Sequence, residues 1–173
     1  MSKYFKYFVE GECEEKLINI LKTPPINYLF PGKVEVFNVI QNILSNQRIL
    51  SIKPNSVIVF VYDTDVLDDN ILKINIDRLK KYGYKNIIHI QSINNFEEEL
   101  LYSYNIKSIN EIFKTQSNDE FKRNFIGCNN IYKKLSSVGF NINKLWSRKN
   151  ISGIFSKYNK NQINDIKNNH NKF

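Results

Sequence analysis

Cysteine and histidine are nearly missing from this chain of 173 residues, which holds two of each. Cys13 and Cys128 stand alone, with no metal-ligand spacing between them or near either histidine. Free thiols are therefore expected, rather than a zinc site or a disulfide framework. A Gly-x-x-x-x-Gly-Lys stretch is also missing, which excludes a P-loop of that pattern as a cradle for nucleotide phosphates. No apolar run approaches the roughly 18 residues of a membrane span. An aromatic and aliphatic strand pattern begins almost at Met1, leaving no room for a signal peptide, so a cytoplasmic protein is expected.

What is present fits an ordered globular protein: 42% hydrophobic residues and 13% aromatics. The length suits one sizeable core, at most with a small appendage. The formal net charge is +8, and only four of the 25 basic residues are arginines. In a chain crowded with Asn, Ile and Tyr, an AT-rich genome would give that lysine bias without selection for a partner. The distribution says more. Residues 1–106 carry 12 basic and 13 acidic side chains, whereas residues 107–173 carry 13 and 4. Acidic chemistry and a positive field thus occupy different parts of the chain, as expected if one part cuts and the other grips phosphates. A merely solvated basic face reads the same charges equally well.

The chain is organised around Ser56–Asp65, Ser-Val-Ile-Val-Phe-Val-Tyr-Asp-Thr-Asp. Its apolar, mostly β-branched run follows Pro54-Asn55 and ends in acidic polar residues, the pattern of a strand buried on both faces in a parallel α/β sheet. Because successive side chains of a strand alternate faces, Asp63 and Asp65 are expected to point the same way with Cα atoms about 7 Å apart. They would do so at the carboxyl end, where open α/β sheets bind ligands. Crowded carboxylates call for protonation, a cationic side chain or a metal ion, and magnesium is the economical answer.

Upstream, Tyr4–Val9 reads as a strand, followed by Glu10-Gly11-Glu12 and a helix marked by Leu17, Ile18, Ile20 and Leu21. Glu10 leaves the strand before the glycine and is a functional candidate. Glu12, Glu14 and Glu15 are read as ordinary acidic residues at a helix N-terminus, with Glu14 on the outer turn. A second strand is expected at Val34–Val39, leading into a helix through about Leu50. Asp68, Asp69 and Asn70 offer a cap for a helix through about Tyr82, ended by Gly83. Asn86–Ile90 forms a fourth strand, in which His89 reads as a packed or surface residue. Asn94 or Asn95 caps the next helix, and two readings of Glu97 stand side by side: helix-end stabilisation, or an outer carboxylate returning to the sheet's carboxyl edge.

Beyond Tyr104 no strand signal remains. Ser108–Glu111 and Ser117–Glu120 match capping boxes, and further helices are expected at Asn129–Ser137 and around Asn143–Arg148. Phe121, Phe125, Leu135 and Trp146 read as the core of this basic extension. Lys122, Arg123, Lys133 and Lys134 are its candidate nucleic-acid contacts, beside Lys144, Arg148 and Lys149. The expected organisation is a core at 1–104, a helical extension at 105–155 and a polar, frayed tail at 156–173.

Glu10-Gly11 after the first strand and Asp63-Thr64-Asp65 after a later buried one resemble the Toprim domain of topoisomerases, primases, OLD-family nucleases and RloB-like proteins. Phe8-Val9-Glu10-Gly11-Glu12-Cys13-Glu14 looks most like the OLD and RloB branch. Asn94–Leu101 is similar to the segment after the last core strand of RloB-like proteins, without their usual tryptophan. The resemblance covers about residues 4–104. It implies a Rossmann-like, mainly parallel four-stranded sheet, with Glu10 as acid/base or ligand and Asp63 and Asp65 binding Mg2+ or Mn2+ for phosphodiester cleavage. Glu97 is then a second-site ligand. It also implies a metal-dependent nuclease of DNA or RNA in phage defence, working with a separately encoded ATPase. A non-catalytic nucleic-acid- or protein-binding module is the alternative. Val61–Leu67 also looks like the haloacid-dehalogenase phosphatase signature, but that family carries its signature near the first strand, and here the last strand ends in Gln91-Ser92.

Overall fold

The computed structural model describes residues 4–148, 153–158 and 163–168. Four parallel strands, β1 (Phe5–Val9), β2 (Gly32–Val36), β3 (Val57–Asp63) and β4 (Ile87–Ser92), form one sheet in the order β2-β1-β3-β4. Between and after them run α1 (Glu12–Leu21), α2 (Asn46–Leu50), α3 (Asn70–Lys81), α4 (Phe96–Tyr102), α5 (Asn110–Phe113), α6 (Asn118–Gly127) and α7 (Ile131–Ser137). A 3-10 helix at Gly153–Tyr158 and the short α8 (Ile163–Ile166) complete the described chain. The protein is thus α/β with a four-stranded, all-parallel, Rossmann-like sheet flanked by helices. No helix among the described residues is long and apolar enough to cross a membrane.

The two-residue period of the strands sorts the helices onto two faces. Phe5, Tyr7 and Val9 of β1, with Val57, Val59 and Val61 of β3, face a core built from α1 and the helices after β4. The alternate residues Phe8, Ile58, Phe60 and Tyr62 face α3, Ile49, Ile52 and Phe155. Lys6 lies in β1 but is only 3% exposed. Its ammonium pairs with Glu35 of β2, whose other oxygen accepts from Arg48 Nε at 2.6 Å. The β1–β2 pairing in turn depends on Gly32, because a Cβ there would sit 2.2 Å from the Phe5 carbonyl oxygen.

The helical extension shares its core with the sheet. Phe125 of α6 meets Phe96 of α4 edge-on with ring centroids 5.8 Å apart, and Leu135 and Trp146 join the same cluster. Phe155 at the end of the expected extension and Ile163 and Ile166 of the expected tail are buried, and Phe30 N–H donates to Ile166 O at 2.9 Å. Lys149, residues 159–162 and residues 169–173 lie outside the described residues.

Two expected helices are displaced by tertiary hydrogen bonds. The helix expected after β2 forms only as α2, because residues 39–44 are turns satisfied from elsewhere. Asn38 Oδ1 accepts from Ile40 and Gln41, while the fully buried Asn75 of α3 accepts from Leu44 N–H at 2.8 Å and donates to the Val39 and Asn42 carbonyls. The helix expected at Asn143–Arg148 is replaced by turns, with Trp146 in the left-handed region at φ 52°. Glu99 of α4, 0% exposed, supplies the reason. Its Oε1 accepts Trp146 N–H at 2.7 Å and its Oε2 pairs with Arg148 Nη2 at 2.6 Å. Removing that carboxylate leaves the buried Trp146 amide without its acceptor and takes the ionic partner from the Arg148 side chain, 21% exposed, which keeps its hydrogen bond to Ile93 O. Glu99→Ala should therefore cost about 3 kcal/mol in urea unfolding, whereas Glu98→Ala on the exposed side should cost less than about 0.5 kcal/mol.

Candidate functional site

β1 and β3 are neighbours, with Val9 opposite Val61, so the residues leaving their carboxyl ends meet. Asp63 N–H donates to Glu10 Oε2 at 3.1 Å, and Asn38 adds a side-chain hydrogen bond to the Glu10 carboxylate. The Asp63 carboxylate is approached by Phe96 N–H from the first turn of α4. Asn95 caps that turn by accepting Glu98 N–H at 2.9 Å. Thr64 ties the ends of β3 and β4 together: its N–H donates to the Ser92 and Asn94 carbonyls, and its Oγ1 donates to Ser92 O and accepts Asn94 N–H. No motif in the sequence pointed to Thr64 as this fastener.

A cleft of about 300 Å³ opens here between α1, β3, α4 and α6, and Glu10, Glu14, Asp63 and Glu97 line it with Lys122. Glu14 corrects the reading of an outer-turn residue. It is 5% exposed, on the inner side of α1. Gly11 makes room for it, since a Cβ on Gly11 would lie 3.1 Å from Glu14 Oε2. The signal was present as the four-residue spacing Glu10–Glu14, but an acidic first turn is so common that it masked the inward-facing member. Glu97 sits in the first turn of α4 and also faces the cleft, with Oε1 3.0 Å from Lys122 Nζ of α6. Cys13 lines the same cleft as a free thiol, its pKa pushed up to about 12, first by burial and then by the neighbouring carboxylates.

Asp65 stands apart from this group. β3 ends at Asp63, so the alternation that would have aligned the two aspartates does not continue, and Asp65 is exposed outside the cleft lining. Its charge still raises the pKa of both Glu10 and Asp63, behind burial in each case. Asp68 and Asp69 are also separated in role. Asp68 Oδ1 accepts Asn70 N–H at 2.8 Å, whereas the buried Asp69 binds Lys73, Lys157 and the Tyr158 hydroxyl. His89 is packed, with Nδ1 3.2 Å from the Tyr62 hydroxyl.

Of the basic candidates, Arg123 and Lys133 are exposed, and Lys134 lies over the Phe113 ring at 5.6 Å. Lys122 leaves that outer surface to enter the cleft.

The cleft is electrostatically strained. Burial, then the Glu10 and Glu14 charges, push the Asp63 pKa up to about 8. Burial, then Glu10 and Glu97, push Glu14 up to about 7, and burial also raises Glu10. Asp63 Oδ1 is buried with no hydrogen-bond partner. As the side chains stand, no three His, Cys, Asp or Glu among the described residues are gathered to hold a metal ion. The donors facing the cleft are oxygen, which suits a hard cation, and Mg2+ takes one or two carboxylates while keeping several waters. Glu10 and Asp63, with the orphaned Oδ1, fit that smaller demand. No protein-family model, curated protein or solved structure matches the chain.

Because the folded state holds protons on Asp63 and Glu14 that the unfolded chain has released, stability falls as pH rises from their ordinary values near 4 to about 8. The opposite contribution of Asp69, whose pKa is lowered by Lys157, Tyr158 and Lys73 despite burial, is lost only below its ordinary 3.8 and so lies under this window. Burial lowers the His89 pKa to about 4, so its contribution rises with pH up to its ordinary 6.5 and offsets part of this fall. Thermal unfolding in chelator should therefore show the midpoint decline most clearly between about pH 6.5 and pH 8. Asp63→Asn should flatten its upper part, and a wild-type midpoint that is level or rises across that range would contradict these assignments.

Proposed function

We propose that the chain is a divalent-cation-dependent nuclease with a Toprim-like core, acting in the cytoplasm. One observation carries this: Glu10, Glu14 and Asp63 converge at the carboxyl ends of two parallel strands, with a carboxylate oxygen left unpaired. Carboxylates so placed weaken a fold unless a cation offsets them, and a cation held at a sheet's carboxyl edge is suited to phosphate esters. A bound Mg2+ or Mn2+ would polarise the phosphate and lower the pKa of water. Asp63 and Glu10 are the inner ligands in this reading. Glu14 and Glu97 border a second position, and Asp65 acts from outside through its charge. The half-buried, proton-retaining Asp63 and the exposed Asp65 favour this over a phosphatase in which the two would serve as nucleophile and general acid.

The outer face of α6 and α7 presents Arg123 and Lys133 close in sequence to the cleft lysine, and supports nucleic acid as the substrate. Phage defence with a separately encoded ATPase follows from the resemblance to OLD and RloB-like proteins and belongs to the same proposal.

Purified protein should cleave labelled DNA, messenger RNA or transfer RNA in magnesium or manganese and not in chelator, with the candidate ATPase supplied where the chain alone is silent. Glu10→Gln, Asp63→Asn and Glu14→Gln should each lower cleavage on the order of 100-fold, and Asp65→Asn by about tenfold or less. Magnesium should raise the wild-type unfolding midpoint and leave that of Asp63→Asn unmoved. Full activity in all three cleft variants would replace catalysis with a binding module.

Reversing Arg123, Lys133 and Lys134 together, with Lys122 left in place, should weaken nucleic-acid binding and reduce its salt dependence by up to about three counterions. An unchanged affinity and salt slope would return the positive charge to composition bias.

A further inference from the structure

We infer that Lys122 is the resident counter-ion of the metal-free cleft, and that its release from Glu97 makes nucleic-acid binding depend on the divalent cation. The inference rests on the nuclease reading above and adds a regulation to it. Five carboxylates, Glu10, Glu12, Glu14, Asp63 and Glu97, line the cleft, and Lys122 is the one cation among the described residues that do. Its ammonium crosses from α6 to reach Glu97 Oε1 of α4 at 3.0 Å. The Glu97 side chain is 16% exposed and that of Lys122 51%, so Glu97 lies inside and Lys122 spans the mouth.

An ammonium can do one of two things at this position. Held by Glu97, it compensates buried negative charge and directs no free positive charge at an incoming phosphate. Freed from Glu97, it is a flexible cation at the rim, on the same helix as Arg123. Were a divalent cation held beside Asp63, its charge would offset the cleft carboxylates and Glu97 would no longer need Lys122 as its partner. Lys122 then turns to the second role. Phosphate affinity and cation affinity become coupled, each raising the other by the same factor. Without the cation, the Glu97–Lys122 pair closes the mouth and the ionised carboxylates of the cleft repel the phosphates. An order of binding, cation first, is built into the cleft.

The test uses the full chain, a fluorescent phosphorothioate-linked oligonucleotide as single-stranded DNA or RNA, and calcium in place of magnesium to suppress cleavage. Anisotropy should show wild-type affinity about tenfold tighter in calcium than in chelator. In chelator, Glu97→Gln should bind the probe several-fold tighter than wild type, because Lys122 is released. Glu12→Gln removes one cleft charge without releasing Lys122 and should gain clearly less. The double variant Glu97→Gln with Lys122→Gln should lose the gain. Lys122→Gln alone should still show the calcium-induced rise in unfolding midpoint while losing most of the coupling. Coupling that survives intact in Lys122→Gln, or an equal gain in Glu12→Gln and Glu97→Gln, overturns the switch and leaves the nuclease reading standing. A wild-type protein whose midpoint ignores calcium and magnesium, or that binds neither probe under any condition, overturns both.

Discussion

Covering β3 on both faces is the constraint from which the rest of the molecule follows. Six consecutive residues, Val57–Tyr62, are buried, and alternate side chains face opposite cores, so helices must occupy both sides of the sheet. A central strand of this kind cannot end in water-facing polar residues until it leaves the sheet. It leaves at Asp63, which is consequently half in the core and half in the cleft. Glu10 on the neighbouring strand is delivered to the same edge by the parallel register. The candidate site is thus a by-product of how the sheet closes, fixed by backbone pairing before any side-chain preference acts.

That placement sets folding against the ionisation of the cleft in a definite way. Each carboxylate raises the cost of ionising the next, and the surrounding apolar residues raise it further. The metal-free protein relieves the tension with the protons retained by Asp63 and Glu14, the Phe96 N–H on Asp63 and the Lys122 ammonium on Glu97. None of these satisfies Asp63 Oδ1. A cleft whose groups are only partly satisfied can respond to a cation, whereas one closed by good ion pairs, as Asp69 is, has nothing left to gain.

The segments after β4 act as straps rather than as an independent unit. Trp146 and Arg148 dock on Glu99 from one side. Phe155 and Tyr158 reach the other face, where Tyr158 joins Asp69 and Gln91 donates to the Phe155 carbonyl at 3.1 Å. Basic residues of the extension are therefore carried on a frame that is continuous with the acidic cleft. Lys122 can enter the cleft because Phe121 and Phe125 fix α6 against α4 and α5.

By itself the sequence determined the α/β class, the four strands to within three residues, and the arrival of Glu10 and Asp63 at one edge. Each of these is local: an apolar run, a two-residue period, a glycine after a strand, a cap. The same local signals misjudged the chain wherever a distant group took over a backbone amide, as Asn75 does for Leu44 and Glu99 does for Trp146. They also could not tell Glu14 from Glu12 and Glu15. All three favour the helix dipole equally, and which one is buried depends on the rotation of α1 against the sheet. Asp65 shows the converse, a residue whose spacing looked right until the strand ended two residues before it. Pattern along a chain specifies which elements form and which residues share a face. Only packing decides which of several equivalent charges is taken out of water, because desolvation depends on everything that surrounds the group.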